Sequence, residues 1–384
     1  MGAYIIGQGI TNFGELWDRD LRSLGLEAAL KALDSAKLNP KDIDALYIAN
    51  MNSSAFSGQE HLGALFASQL NLDKPAFRVE GACASGSLAI NAAFNAINSG
   101  KYKRVMVIGV EKMTDLDASQ VTQALAAAAD EEWESYYGAT FPSLYALIAK
   151  EHMRRFGTTK EDLALISIKN HYHALLNPIA QFKKEITVKD VVDASMIAEP
   201  LGLLDCSPIS DGAAAIILSN ESKESKPVEL VASEIATSSL SLHDRRDMTT
   251  IDAAVKASSR AYEAAGISAK DIDIAEVHDC FSIAELIAYE DLGFAPKGKA
   301  KDELRRGHYH REGKLPVNVS GGLKACGHPV GATGVKQAIE IYLQLSAQAG
   351  KRQVKKKNLR YGLTHNVGGS GATCVINIFK QQEK

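Results

Sequence analysis

The sequence contains no C-x-x-C pair, and its five cysteines, at positions 83, 206, 280, 326 and 374, are odd in number and far apart. That excludes a disulfide framework and a thiolate metal site of the usual spacing. It fits thiols kept reduced in the cytoplasm. No apolar run approaches the roughly 20 residues of a membrane span. Neither sign of charge dominates, with 43 Lys and Arg against 46 Asp and Glu and a formal net charge of −3. Nucleic acid and anionic membranes therefore gain no support as partners. The start, Met1-Gly2-Ala3-Tyr4-Ile5-Ile6, lacks the layout of a signal peptide and the Ser or Thr that N-myristoylation wants at position 6. What remains is ordinary for a soluble globular protein: 46% apolar and 23% charged over 384 residues, enough for two or three domain-sized units.

Strand and helix patterns alternate in the first part. Ala3 to Ile10 reads as a buried strand, Leu21 to Leu33 as a helix and Ile43 to Ile48 as a strand. Lys103 to Val110 is a near-continuous apolar run, the pattern of a strand covered on both faces. From Thr114 the texture becomes helical and aromatic, with Trp133, Tyr136, Tyr137, Phe141 and Tyr145 close together and helices expected over Leu144–Phe156 and Lys160–Ala174. The strand pattern resumes at Ala213 to Leu218, and a polar hinge covers 220–226. After the hinge the chain repeats itself. Pro40-Lys41-Asp42-Ile43-Asp44 recurs as Ala269-Lys270-Asp271-Ile272-Asp273, with Ile43 and Ile272 229 residues apart. Each copy follows an Ala-rich amphipathic helix and leads into a strand. Two similar α/β halves related by a pseudo-twofold axis are the expectation. The divisions are 1–114 plus 205–226, a helical loop domain at 115–204, and a second half at 227–384.

Four clusters carry chemistry. In the first, Phe77 to Val79 runs into Glu80-Gly81-Ala82-Cys83-Ala84-Ser85-Gly86-Ser87 and then a helical pattern. Strand, turn and helix start put the Cys83 sulfur at a helix N-terminus, where unpaired N–H groups favour thiolate. A buried cysteine in a small-residue packing site fits that stretch equally well. In the second, His278-Asp279-Cys280-Phe281 follows a strand, the end where α/β folds place reactive groups; taken alone, both His278 and Cys280 read as core residues. In the third, Cys326-Gly327-His328-Pro329-Val330-Gly331-Ala332-Thr333-Gly334 sets a histidine among glycines, where it can polarise a thiol or donate to an oxyanion. In the fourth, Thr364-His365-Asn366-Val367-Gly368-Gly369-Ser370-Gly371 is a glycine turn between strands. It lacks the Gly-Lys-Ser/Thr and helix start of a phosphate loop. The pairs His171/His173 and His308/His310 have no third ligand at useful spacing and read as surface, as does the basic run 351–357.

Over nearly its full length the chain resembles the thiolase family. The resemblance rests on the Cys83 turn, Gly109-Val110-Glu111-Lys112-Met113, the segment 207–215 and, above all, Gly327 to Gly334. His278-Asp279-Cys280-Phe281 stands in place of the usual Asn-Glu-Ala-Phe, and Asn366-Val367-Gly368 in place of Cys-x-Gly. Both departures resemble the archaeal acetoacetyl-CoA thiolases and the sterol-carrier-protein thiolases. The resemblance implies the thiolase fold: two βαβαβαββ halves, layered α-β-α-β-α, with buried helices between the sheets. It implies Cys83 as nucleophile, His328 as its base and Cys280, rather than Asn366, as the second cysteine. The oxyanion donors would be His328, a water held by His278, and the N–H groups of Cys83 and Gly368. Ser207 would touch pantetheine; Phe141, with Pro142, would lie by the pocket; Arg245, beside Arg246, is a candidate for the 3′-phosphate of coenzyme A. The implied reaction is acetyl-CoA C-acetyltransfer, with coenzyme A thioesters as substrates and no cofactor or metal. Longer 3-ketoacyl-CoA, a carrier-protein synthase or a CoA-binding scaffold are the alternatives. A homodimer or homotetramer is implied, paired through Ala76 to Val79. Assembly with 3-hydroxy-3-methylglutaryl-CoA synthase through a small bridging protein is a further expectation, because condensation is uphill and wants a consumer.

Overall fold

The computed structural model describes residues 2–356 and 358–382. Met1 and Lys357, each part of a stretch read above, lie outside the described residues. Five strands build the first half: β1 (Tyr4–Ile10), β2 (Ala45–Ala49), β3 (Ala76–Val79), β4 (Arg104–Glu111) and β5 (Gly212–Ser219). Four build the second: β6 (Val228–Thr237), β7 (Ile274–Glu276), β8 (Tyr361–Gly368) and β9 (Thr373–Gln381). They run in the order β3-β2-β4-β5-β1-β6-β9-β8-β7. The order is a palindrome: in each half the first strand lies innermost, then the fifth, fourth and second. The third strand of the second half is reduced to one parallel bridge, Ala275 to Val317. The halves meet through a short antiparallel contact, Tyr4 with Glu229 and Ile5 with Val228.

The repeated segment has the same job in both halves. Asn39 N–H donates to Asp42 Oδ2 and Ser268 N–H to Asp271 Oδ2, each at 2.8 Å. Asp44 Oδ2 accepts from Lys103 and Arg104 N–H at 2.8 and 2.9 Å, at the start of β4. Asp273 Oδ2 accepts from Arg360 and Tyr361 N–H at 2.8 and 3.1 Å, at the start of β8. The aspartate thus fixes where the neighbouring strand begins, by satisfying two N–H groups that the ladder leaves open.

Helices α1 (Leu21–Ala36) and, in the second half, α5 (Asp252–Ala265) cover the outside of their sheets. The central layer is α2 (Ser85–Asn98) and α7 (Val330–Leu345), which lie on each other and touch strands of both halves. Their N-terminal turns meet at glycine. A Cβ on Gly86 would stand 2.8 Å from Gly334 N, and one on Gly334 2.4 Å from Ser87 N. Backbones this close leave no room for a side chain. Cys83 precedes α2 and His328 precedes α7, so this contact is what brings them together.

Between β4 and β5 the chain forms the helical segment, including α3 (Phe141–Phe156) and α4 (Lys160–Ala174). Helix α4 packs against α6 (Ser282–Asp291), which follows Cys280. His171 and His173 on α4 are buried, contrary to their surface reading. His173 Nδ1 bonds Asn318 O at 3.0 Å, and its Nε2 accepts from Arg311 N–H at 3.0 Å. A helix enclosed on most sides buries polar residues that periodicity assigns to solvent. Trp133, Tyr136 and Tyr137 lie exposed, whereas Tyr145 is buried.

Candidate active site

The turn before α2 is tight. Ala82 takes a φ of 51°, a left-handed conformation uncommon outside glycine. Its N–H donates to Glu80 Oε1 at 2.6 Å. Ser85 Oγ closes the turn, accepting from Gly81 N–H at 3.0 Å and donating to Ala82 O at 2.6 Å. Cys83 as a residue is half-buried, but its sulfur is enclosed. The backbone N–H groups of Gly369 and of Cys83 itself favour the thiolate. Burial nevertheless pushes the thiol up to about 12, with the Glu111 and Glu80 carboxylates adding to it. The helix N-terminus loses to desolvation, so the resting group is a thiol, against the thiolate expected from sequence. Alkylation of Cys83 by iodoacetamide should accelerate about tenfold per pH unit up to pH 10 without a plateau. A plateau near pH 7, seen by rate measurement across that range, would mean a preformed thiolate.

Cys83 Sγ and one ring nitrogen each of His278 and His328 lie within 4.8 Å of one another. The two imidazoles meet edge to face at 5.2 Å and 83°. His328 is neutral, lowered to about 3 by burial and then by the Lys336 charge. Its Nδ1 bonds Thr333 Oγ1 at 2.6 Å, and that hydroxyl donates to Pro329 O at 3.0 Å. The hydroxyl proton is thereby used, so Nδ1 carries the imidazole proton and Nε2 has a free lone pair. Burial, then His328 and His365, hold His278 well below the ordinary range as well. Asn366 Nδ2 donates to His278 Nδ1 at 3.2 Å and to Cys83 O at 2.9 Å.

Asp279 anchors the loop that carries His278 and Cys280. It accepts from Leu323 and Lys324 N–H at 2.7 and 3.1 Å and from Asn170 Nδ2 at 2.7 Å. Cys280 is buried, and its thiol is raised well above its ordinary value by burial and then by the nearby Cys83. Its sulfur lies beside the Tyr145 phenol, whose one proton is donated to Gly369 O at 3.2 Å. Tyr145 stacks on Phe281 at 4.6 Å. A cysteine and two histidines are a zinc-ligand set. His278 nonetheless offers no lone pair, since Nδ1 accepts from Asn366 and a neutral ring then carries its proton on Nε2.

Residues 3–222 match the family model "Thiolase, N-terminal domain" and residues 235–381 match "Thiolase C-terminal domain-like". The chain belongs to the thiolase family. It is 48% identical to the acetyl-CoA acetyltransferase of Methanothermobacter thermautotrophicus, over 98% of this chain and 99% of that one. It is 46% identical to the acetyl-CoA acetyltransferase of Methanocaldococcus jannaschii, over 98% of each. Among solved structures, the Ltp2-ChsH2(DUF35) aldolase superposes with a TM-score of 0.83 at 24% identity, covering 100% of this chain and 98% of that one; this is a likeness of fold.

For a thiolase, the remaining residues singled out by sequence divide. Ser207 N–H donates to Cys280 O at 2.9 Å, so Ser207 adjoins the second cysteine. Phe141 opens α3 and faces the glycine turn, 3.9 Å from where a Gly369 Cβ would lie. Arg245 is turned inward instead. Its Nη2 donates to Ser370 O and, at 3.2 Å, to Ser370 Oγ, while Nε and Nη1 are sealed from solvent. A nucleotide phosphate cannot reach those groups; the guanidinium braces the turn. Gly368 presses on the nucleophile turn, where its Cβ would stand 2.5 Å from Gly81 O. The neighbouring backbone N–H that lowers the Cys83 thiol is that of the next residue, Gly369. His365 Nδ1 accepts from His278 N–H at 3.3 Å and lies behind it. Two cavities of about 410 Å³ lie by Arg311–Gly313 with 351–356, and by Tyr172, Glu185 and His310; neither is lined by a residue named for catalysis.

Sequence reasoning missed Glu111 and Tyr145. Glu111 is a buried carboxylate raised to about 7 by burial. It accepts from Asn50 Nδ2, Met51 N–H and Gly331 N–H at 2.8 to 2.9 Å. It thus ties the ends of two strands to the loop of His328. Its position inside Gly-Val-Glu-Lys-Met was the available signal. Tyr145 had none beyond its aromatic neighbours.

Proposed function

We propose that the chain joins two acetyl-CoA into acetoacetyl-CoA and coenzyme A, and catalyses the reverse thiolysis. The observation that carries this is the meeting of Cys83, His278 and His328 within 4.8 Å, with Cys280 near enough for Cys83 to raise its thiol. His328 Nε2 takes the Cys83 proton, and the thiolate attacks the thioester carbonyl. The departing coenzyme A thiolate takes the Cys280 proton. That leaves a Cys280 thiolate beside protonated His328. A base is thereby created only after the first half-reaction, which reconciles the high resting value of Cys280 with its role. The Cys280 thiolate then removes a proton from the methyl carbon of the second acetyl-CoA. The carbanion attacks acetyl-Cys83, Cys83 leaves as thiolate, and His328 returns the proton. Every group ends as it began.

The proposed division is that of the sequence: an N-terminal half with the nucleophile, a helical loop domain and a C-terminal half. Ser207 and Phe141 are proposed to line the substrate path. The open edge of β3, with Phe77 exposed, supports a homodimer as the minimum assembly. Free thiols at all five cysteines support a cytoplasmic setting. No helix among the described residues is long and apolar enough to cross a membrane. Because condensation is uphill, a consumer such as 3-hydroxy-3-methylglutaryl-CoA synthase, joined by a small bridging protein, completes the proposal. The test is the purified chain given acetoacetyl-CoA and coenzyme A, with acetyl-CoA measured by chromatography and acetyl-Cys83 trapped by mass spectrometry. Thiolysis of acetoacetyl-CoA is expected to exceed that of longer 3-ketoacyl-CoA; the reverse preference, or no acetylated Cys83, would overturn the reading.

A further inference from the structure

Asn366 occupies the position where the usual biosynthetic thiolases carry a cysteine, and the mechanism above gives it no step. Its surroundings nevertheless specify it completely. Nδ2 donates to Cys83 O at 2.9 Å and to His278 Nδ1 at 3.2 Å, and Oδ1 accepts from Ser87 N–H at 3.3 Å. Two backbone partners fix which way the amide points. Turned over, its oxygen would face a carbonyl oxygen and its NH2 group a backbone N–H, two repulsive contacts in a buried site. The side chain is enclosed, and a Cβ on Gly334 would stand 2.3 Å from Oδ1, so the neighbouring helix confines it as well. With both amide hydrogens committed, His278 Nδ1 can only accept. His278 Nε2 is buried and has no hydrogen-bond partner among the described residues.

We infer that Asn366 is a positioning residue that holds His278 as the Nε2–H tautomer, keeping an unspent donor ready for the oxyanion or its bound water. In the other tautomer His278 would present a lone pair to developing negative charge. The same amide holds the Cys83 carbonyl, so one side chain sets both the nucleophile turn and the donor opposite it. The functional consequence rests on the thiolase reading; the tautomer itself does not.

The experiment is 15N NMR of histidine-labelled protein at pH 7.5, with His278→Gln as assignment control, on wild type, Asn366→Asp and Asn366→Ala. Wild type should show His278 protonated on Nε2. Asp accepts where Asn donates, so Asn366→Asp should move the proton to Nδ1. Turnover in thiolysis should fall about 100- to 1,000-fold, the typical cost of one oxyanion donor, with KM within threefold. Asn366→Ala should lose the single tautomer and fall between the two. A wild-type His278 protonated on Nδ1 would overturn the inference whatever the variants do. So would Asn366→Asp turning over within threefold of wild type. If wild type shows the Nε2–H tautomer yet has no thiolase activity with any 3-ketoacyl-CoA, the positioning stands and the reaction assignment falls.

Discussion

Cys83→Ser should eliminate acetyl transfer, with turnover lower by on the order of 10^6-fold, the scale seen when a covalent nucleophile is removed. Labelling by a haloacetyl thioester at this position should vanish with it. Serine fits the space but is a far weaker acid than cysteine. Burial and the Glu111 and Glu80 carboxylates already push the thiol up to about 12, and a hydroxyl would be pushed further in the same surroundings. His328, lowered to about 3, is too weak a base to activate it. Fold and hydrogen bonds of the turn should survive, because the turn is closed by Ser85 Oγ and Glu80 and not by the sulfur. Retained turnover in a purified Cys83→Ser preparation would remove this residue as nucleophile.

Cys280→Ala should separate the half-reactions. Acetyl-enzyme should still accumulate, detected by mass spectrometry of the Cys83 peptide, because coenzyme A can draw its proton from His328 or water. Condensation should fall by about 10^4-fold, the upper end for loss of a positioned base. No other side chain among the described residues stands ready to replace it. His365 lies behind His278, with Nδ1 occupied by the His278 N–H, and the Tyr145 phenol is raised well above its ordinary value by burial. Surviving condensation would place the base elsewhere.

Much of this was legible in the sequence. The Lys-Asp-Ile-Asp repeat announced the two halves, because its second aspartate satisfies N–H groups at a strand start in both. The glycines around His328 marked a histidine free to reach a thiol, but not the close approach of two helices that they also permit. Other features depend on contacts between distant segments. The Cys83 thiol could not be placed from its helix start alone, since Glu111 and enclosure decide the balance. His171 and His173 looked like surface because burial of α4 comes from α6 and its neighbours. Arg245 looked like an exposed cation because nothing local shows the glycine turn that receives it. Asn366 was set aside as a missing cysteine; its three bonds join segments up to 283 positions apart, which no local pattern encodes.

The shrunken third strand of the second half bears on how copies can combine. At that end Ala275 is already engaged by Pro316 and Asn318, and Val317 is fully enclosed, so no ladder is free to be extended. The opposite end, β3, is open. A ribbon with two free margins can grow without limit, molecule after molecule, whereas one with a single free margin is consumed by its first mate. Joining through β3 therefore terminates at a closed twofold pair, and any larger assembly must be built through a different face.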